Sequence, residues 1–412
     1  MTAKPDVLLV TQFYWPEPIG SAPYCTDLAE WMAITGWRTR VLTCRPHYPT
    51  GQVPPEYDNG ERDRECRGKA SIRRLPPWRP DLRGALGRMA SETVFLLRGL
   101  HEIASRRTAR SDHVISLCPS IFTVLLGSVA CRRRGCHFAL IHDIQSGLAA
   151  GLGMVGGRWL VAGMRLLERG ILNRVDGIFV LSEDMRRQLR DQGITAPVQV
   201  LPIWVDASAI YPVRSAERRT ATALYSGNLG RKQALDQVIA LADTLQCRGS
   251  SMRVIVRGTG SEAQRLARTA RLRQLRNIEF RPLVPPEQLN DGLAEGDVHL
   301  VPQDRDAADF AVPSKVYGIM AAGRTFVATA GPGSHLWRLQ RDTEAFRCVP
   351  PGDPQALADA VMALGQDPKL RSELGARGRA YVMARHDKAS ILGAFESALR
   401  TIAQRRRLEP QS

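Results

Sequence analysis

The chain of 412 residues is long enough for two or three domains of ordinary size. Apolar residues make up 44% and charged residues 24% of it, which is ordinary for a globular chain and allows a large buried core. The formal net charge of +16 is high and predicts attraction to anionic partners. Membrane lipids, nucleotides, polyanionic acceptors and nucleic acid all remain open on charge alone.

Apolar runs and cysteines narrow the class of protein. A secretory signal is not expected, because charged residues precede an apolar run of only four residues, Val7–Val10. The best candidate for a membrane span is Val114–Cys131, but Pro119 and Ser120 divide it, which favours a buried strand followed by a core helix. The eight cysteines include no CxxC pair and no histidines at zinc spacing. We therefore expect reduced thiols in a cytosolic protein and no bound metal.

The first hundred residues open like a doubly wound α/β domain. A strand at Val7–Thr11 leads through the loop QFYWPEPIGSAP to a helix at Tyr24–Ile34 and a second strand at Arg38–Thr43. Gly20 lies where the loop meets the helix, so its backbone can approach a ligand phosphate or sugar, or it simply forms a tight turn.

A proline-rich, basic segment follows. Residues 45–85 are predicted to be irregular, because their prolines preclude long helices. The stretch Arg62–Arg110 holds thirteen Lys/Arg against five Asp/Glu, a surplus of eight, interleaved with large apolar residues. This pattern is typical of an interfacial helix on an anionic membrane, and equally of a solvated amphipathic helix that covers the core. We find no nucleic-acid-binding module in it.

A polar cluster follows a predicted strand near the middle of the first half. The strand His137–Ile141 runs directly into His142 and Asp143. The carboxyl end of such a strand is where open α/β sheets bind ligands, so His142 could bind a substrate hydroxyl or assist proton transfer. A purely structural histidine is the alternative. The segment LPIWVDASAIYP then connects to a second α/β series.

Three turns in the second half are suited to phosphate. The turn after Thr222–Ser226 carries Gly227, Asn228, Arg231 and Lys232, which predicts a diphosphate cradle. The strand Met252–Val256 ends in a second glycine turn with Gly258 and Gly260.

The third turn opens the stretch DFAVPSKVYGIMAAG. Here Pro313 and Ser314 predict a helix start with Ser314 as the capping side chain, Lys315 adds a charge, and the helix stops at Gly323. Because the carboxyl ends of parallel strands share one edge, we expect all three turns to meet one ligand. From Pro351 onward the pattern is helical.

In their order and spacing, these motifs resemble the retaining nucleotide-sugar glycosyltransferases of family 4, most of all those of bacterial exopolysaccharide assembly. The carriers are TQFYWPEPIGSAPYCTDLAEWM, IHDIQ, YSGNLGRKQALD, VRGTG, FRPLVPPEQL and VPSKVYGIMAAG. The resemblance implies the GT-B fold, with two Rossmann-like doubly wound domains facing across a cleft. Residues 1–205 would bind the acceptor and residues 206–385 the nucleotide sugar. Residues 386–412 would form a helix that packs back on the first domain, followed by a frayed tail.

The resemblance also implies roles for the site residues. His142, Arg231 and Lys232 would be catalytic, with His142 over the donor sugar and the two cations on the leaving diphosphate. The donor would further contact Gly20, Gly227, Asn228, Gly258, Gly260, Leu283, Val312, Pro313, Ser314 and Lys315. Phe310 and Gly318 stand where the family has two glutamates, of which the second normally holds the ribose.

The implied activity is retaining transfer of a sugar to a lipid-linked saccharide, without metal or other cofactor. The protein would be cytoplasmic and peripheral on the inner face of the plasma membrane, and the basic Arg62–Arg110 segment would bind that anionic surface. Nucleic acid is not an expected partner. Two alternatives remain: a nucleotide-sugar epimerase of GT-B-like fold, and a non-catalytic membrane-docked assembly protein.

Overall fold

The computed structural model describes residues 4–17, 20–47, 51–78, 84–118, 120–144, 158–214, 220–230, 233–304 and 313–408. The chain divides into two compact units. The first comprises Met1–Pro202 and Leu392–Ser412, and the second comprises Ile203–Ile391. Within the described residues, no helix is both long and apolar enough to cross a membrane.

The first unit is built on an eight-stranded sheet of order β3-β4-β2-β1-β5-β6-β7-β8, in which only the β3–β4 pair is antiparallel. Its strands are β1 Asp6–Val10, β2 Arg38–Cys44, β3 Arg64–Arg67, β4 Ala70–Leu75, β5 Ser111–Cys118, β6 Cys131–Ile141, β7 Gly177–Val180 and β8 Val198–Val200. Its helices before the unit boundary are α1 Ala22–Ile34, α2 Pro55–Asp58, α3 Gly84–Ala104, α4 Ile121–Ala130, α5 Arg158–Leu172 and α6 Glu183–Asp191. All five residues of β1 are buried, as expected for a central parallel strand covered on both faces.

The apolar segment Val114–Cys131 forms a strand and a helix, which confirms the sequence-based interpretation. Strand β5 ends at Cys118, and α4 begins at Ile121 after Ser120, whose Oγ accepts a hydrogen bond from the backbone N–H of Phe122. This hydrogen bond satisfies one of the free N–H groups of the first helical turn.

The expectation of irregular structure throughout residues 45–85 is wrong, because β3 and β4 form a hairpin there. The arginines of this hairpin interrupt the apolar alternation that marks a strand in the sequence. They are tolerated because carboxylates of the same unit form ion pairs with them. Arg73 binds Glu102 of α3 through two hydrogen bonds of 2.8 and 2.9 Å. The fully buried Arg74 donates to Glu65 and to the carbonyl of Trp15.

The second unit is built on a six-stranded parallel sheet of order β11-β10-β9-β12-β13-β14. Its strands are β9 Thr222–Ser226, β10 Arg253–Arg257, β11 Ile278–Arg281, β12 Val298–Pro302, β13 Phe326–Thr329 and β14 Arg347–Val349. Its helices are α7 Asp236–Cys247, α8 Ala263–Leu272, α9 Leu289–Ala294, α10 Lys315–Ala321, α11 His335–Thr343, α12 Pro354–Gln366 and α13 Pro368–Arg385. Parallel strands joined through helices in both units confirm the predicted α/β fold class.

Helix α10 ends as predicted but begins differently. Gly323 follows the helix with a φ of 65°, which favours glycine and stops the helical path. Ser314 occupies the N-cap position with helical backbone angles, and its side chain makes no capping hydrogen bond. The predicted capping role of Ser314 is therefore wrong, because a side-chain cap requires an extended backbone at that residue.

The last helix, α14 Lys388–Leu408, contributes to the first unit from Leu392 onward. Glu396 accepts hydrogen bonds from the indole N–H groups of Trp31 at 3.2 Å and Trp37 at 2.9 Å. The ring of Phe395 packs edge-on against Phe179 at a centroid distance of 4.7 Å. Both contacts cover the sheet of the first unit with residues from the end of the chain.

Candidate active site

Two glycine turns meet at the carboxyl edge of the second sheet. The turn after β9 and the turn after β10 are joined by hydrogen bonds from Gly227 N to Arg257 O (2.9 Å) and from Leu229 N to Thr259 O (2.8 Å). A Cβ atom added to Gly258 would lie 1.9 Å from the carbonyl oxygen of Gly227, and one added to Gly260 would lie 2.5 Å from that of Leu229. Both positions need glycine so that the two turns can pack together.

Lys315, the first residue of α10, reaches the same edge. Its Nζ lies 3.5 Å from the centroid of the Tyr225 ring on β9 and would lie 3.4 Å from a Cβ on Gly227. The Tyr225 hydroxyl donates to the carbonyl of Asn228 at 2.6 Å, which ties the ring to the turn. The structure therefore brings Gly227, Asn228, Gly258, Gly260 and Lys315 together, as the sequence predicts.

The environment of the Lys315 amine disfavours its charged form. Its Nζ is buried and has no hydrogen-bond partner among the described residues. Burial lowers the pKa of Lys315 from 10.5 to about 7. The neighbouring cation Arg257, by contrast, makes an ion pair with Glu295. A desolvated amine facing a glycine turn is suited to accept an anion, which would restore the charged form.

The predicted residues of the first unit lie at its own carboxyl edge. His142 follows β6, and its ring packs edge-on against Tyr24 of α1 with the centroids 5.4 Å apart. Gly20 precedes α1 with a φ of 71°, a conformation that favours glycine. The end of β6 and the first turn of α1 are thus neighbours within this unit.

The remaining predicted residues divide into two groups. Leu283 lies half-buried after β11, and Pro313 and Ser314 directly precede α10. Arg231, Lys232 and Val312, together with Phe310, lie outside the described residues.

Sequence reasoning missed one residue of the candidate site, and at another position the chain lacks the side chain that the family has there. Tyr225 was overlooked, because an aromatic residue inside a buried strand looks like core and nothing local marks the lysine ninety positions later. At Gly318, where the family has its ribose-binding glutamate, an added Cβ would have one neighbour within 4 Å among the described residues, Ile210 Cδ1 at 3.8 Å. In the part of the chain that the structure describes, no three His, Cys, Asp or Glu side chains form a metal-binding group.

Comparison with known proteins identifies the family to which this chain belongs. The glycosyl transferase 4-like domain matches residues 20–204, and the glycosyl transferases group 1 domain matches residues 220–367. The putative colanic acid biosynthesis glycosyl transferase WcaI of Escherichia coli (strain K12) is 30% identical over 407 residues, which cover 94% of this chain and 98% of that protein.

Two solved structures share the fold. Sucrose-phosphate synthase from Thermosynechococcus elongatus is 17% identical with a TM-score of 0.78, over 97% of this chain and 99% of that one. Anabaena HepE in complex with UDP and glucose is 14% identical with a TM-score of 0.68, over 96% and 99%. The chain belongs to the group 1 glycosyltransferases with a glycosyl transferase 4-like domain, and its fold is GT-B.

Proposed function

We propose that the chain transfers a sugar, with retention of anomeric configuration, from a nucleoside-diphosphate sugar to a lipid-linked saccharide. The pathway would be bacterial exopolysaccharide or cell-surface glycan synthesis. Family membership supports glycosyl transfer, and the name of the Escherichia coli relative supports the pathway. The UDP and glucose bound to HepE support a nucleotide-sugar donor.

The observation that carries this proposal is the buried amine of Lys315 beside the Gly227 turn, which has no hydrogen-bond partner among the described residues. Sugar transfer builds negative charge on the leaving diphosphate as the glycosidic bond breaks, and preorganised cations in a desolvated site stabilise that charge. Lys315 would bind the diphosphate together with Arg231 and Lys232. The proposed reaction uses no metal ion and no cofactor.

The other residues would position the donor. His142 would lie over the donor sugar, and Gly20 would leave space for the reacting sugar and acceptor. Gly227, Asn228, Gly258 and Gly260 would let the backbone approach the nucleotide. Leu283 would lie by the base, and Val312, Pro313 and Ser314 would contact sugar and phosphate. The acceptor would attack on the face of the leaving group, and we assign no enzymic nucleophile.

The acceptor implies a place for the protein. A lipid-linked saccharide is held at the inner leaflet, so the enzyme would work in the cytoplasm as a peripheral membrane protein. The net charge of +16 supports attraction to that anionic surface.

A ligand screen tests the donor assignment. Thermal unfolding would be followed with UDP-, GDP-, dTDP- and ADP-sugars and the free diphosphates, in the wild-type chain, Lys315→Met and the exposed-lysine control Lys369→Met. A ligand at 100 times its dissociation constant adds about 2.7 kcal/mol to the folded state. We expect one nucleotide to stabilise the wild type and the control, and Lys315→Met to weaken its binding by roughly 10- to 100-fold.

Two results would count against the proposal. No shift with any nucleotide in the folded wild type would favour the non-catalytic alternative. Conversion of the donor sugar in the absence of acceptor would favour the epimerase alternative.

A further inference from the structure

Helix α5 exposes two leucines to solvent and buries its carboxylate. The side of the helix that faces the unit carries Glu168, which is only 7% exposed, together with the buried Ile171 and Leu172. The opposite side carries two leucines in contact with solvent: Leu166 is 68% exposed and Leu167 is 45% exposed. A helix that only covers a core places its charges outside and its leucines inside, so α5 has a second requirement besides folding.

The exposed leucines form part of a continuous apolar sector. At 100° per residue, Ala162, Leu166, Gly170, Gly163 and Leu167 follow one another around about 140° of the helix surface without a polar side chain. All five are exposed, and no described residue has an atom within 4 Å of a Cβ added to either glycine. The sector is therefore open, and Leu166 lies near its centre.

One border of this sector is purely cationic. Arg165 and Arg169 are exposed beside Leu166, and neither makes an ion pair with any residue that the structure describes. Exposed arginines beside exposed leucines, with the single carboxylate turned inward, are the composition of a helix that lies in the interface of an anionic bilayer. At 15 residues, α5 is too short to span one.

Part of the charge of the basic segment Arg62–Arg110 is taken up by ion pairs inside the unit. Arg62 and Arg74 bind Glu65, Arg67 binds Glu30, and Arg73 binds Glu102. Three carboxylates thus offset most of the charge of these four guanidinium groups, which reduces their contribution to attraction over a distance.

We propose that α5 is the membrane-docking element of this protein, with its apolar sector in the headgroup region and Arg165 and Arg169 on anionic phospholipid headgroups. The inference rests on the membrane part of the proposed function and names the surface that carries it. A second copy of the chain is a poorer occupant. Two such faces packed together would bring their arginines into proximity, with no exposed carboxylate on the sector to compensate them.

Vesicle co-flotation tests the docking element. The full-length chain would be mixed with vesicles of phosphatidylcholine, with or without phosphatidylglycerol. We expect binding to the anionic vesicles and a loss of about tenfold or more in the double variant Leu166→Glu, Leu167→Glu. The control is Leu97→Glu on α3, which makes the same type of substitution once, at a leucine that is 58% exposed. This control should bind like the wild type. Unchanged melting temperatures would show that both variants fold.

The same protein preparations test the role of Arg165 and Arg169 and the alternative that a second copy of the chain covers the sector. Arg165→Gln with Arg169→Gln should remove the preference for phosphatidylglycerol. The inference is overturned if the wild type binds neither vesicle, or if Leu97→Glu removes binding and the double leucine variant does not. It is also overturned if the leucine variant converts a dimer to a monomer in sedimentation without changing vesicle binding. Because nucleotide binding is measured separately, failure of the donor site would leave this result unaffected.

Discussion

Replacing Lys315 by Met should make the protein more stable, and by an amount that depends on pH. Burial lowers the pKa of Lys315 from 10.5 to about 7, a shift of about 3.5 units. At roughly 1.36 kcal/mol per unit, keeping this amine charged in the folded chain costs about 5 kcal/mol. The face of the Tyr225 ring offsets about 0.5–2 kcal/mol of that cost. We therefore expect Lys315→Met to raise the free energy of unfolding by about 3 kcal/mol at pH values below 7.

The direction of the pH dependence follows from proton linkage. Between the folded pKa of about 7 and the unfolded value of 10.5, the unfolded chain holds a proton that the folded chain lacks. Wild-type stability should therefore rise with pH across this window, by up to about 1.4 kcal/mol per unit. Lys315→Met removes this slope, so its advantage should be greatest below pH 7 and shrink as pH rises above 7.

Hydrogen exchange of the β9 and β12 amides in increasing denaturant is the suitable assay, because it reports on the second unit alone. Lys369→Met, at an exposed lysine of the same unit, should leave both stability and its pH slope unchanged. A stabilisation by Lys315→Met that is the same at low and high pH would refute the reasoning. It would mean that the folded chain keeps the amine hydrated. A variant that gains stability while losing nucleotide binding is what a ligand-binding lysine predicts.

Three further substitutions test the packing. Gly258→Ala would place a methyl group 1.9 Å from the Gly227 carbonyl at a φ of 152° and should lower the free energy of unfolding by about 3 kcal/mol. Gly163→Ala, in open space on α5, should raise the free energy of unfolding by about 0.5–1 kcal/mol. Thermal unfolding compares the two, and a harmless Gly258→Ala would show that the turns can separate. Glu396→Gln should cost about 1–2 kcal/mol at neutral pH. Burial alone would raise the pKa of Glu396, but hydrogen bonds, chiefly from Trp37, lower it. The cost should therefore shrink as pH falls below 4.5, and a cost independent of pH would contradict this assignment.

Sequence periodicity was sufficient to predict those elements that depend on residues nearby in the chain. The division of Val114–Cys131 into strand and helix follows from Pro119, and the end of α10 follows from Gly323. The hairpin of β3 and β4 could not be foreseen in the same way. Arg67 and Arg73 are compatible with this hairpin because Glu30 and Glu102, distant in sequence, form ion pairs with them.

The site was predictable by residue type and less so by environment. The glycines of the two turns and Lys315 were identified from their spacing, and the structure brings them together. What the sequence could not provide is the state of the lysine, because that depends on a tyrosine from another strand and on the loss of water around Nζ. The exposed leucines of α5 were missed for a similar reason, since a pattern of leucines does not tell which of them contact the core.

The contribution of α14 to the first unit sets the order in which the chain can fold. Phe395 covers Phe179, Glu396 holds Trp31 and Trp37, and a Cβ on Gly177 would meet Ile402 at 3.2 Å. During synthesis these residues leave the ribosome after the whole second unit has been made. The unit that is translated first is therefore the last to complete its core. Until α14 has been synthesised, part of that core stays uncovered while the second unit folds.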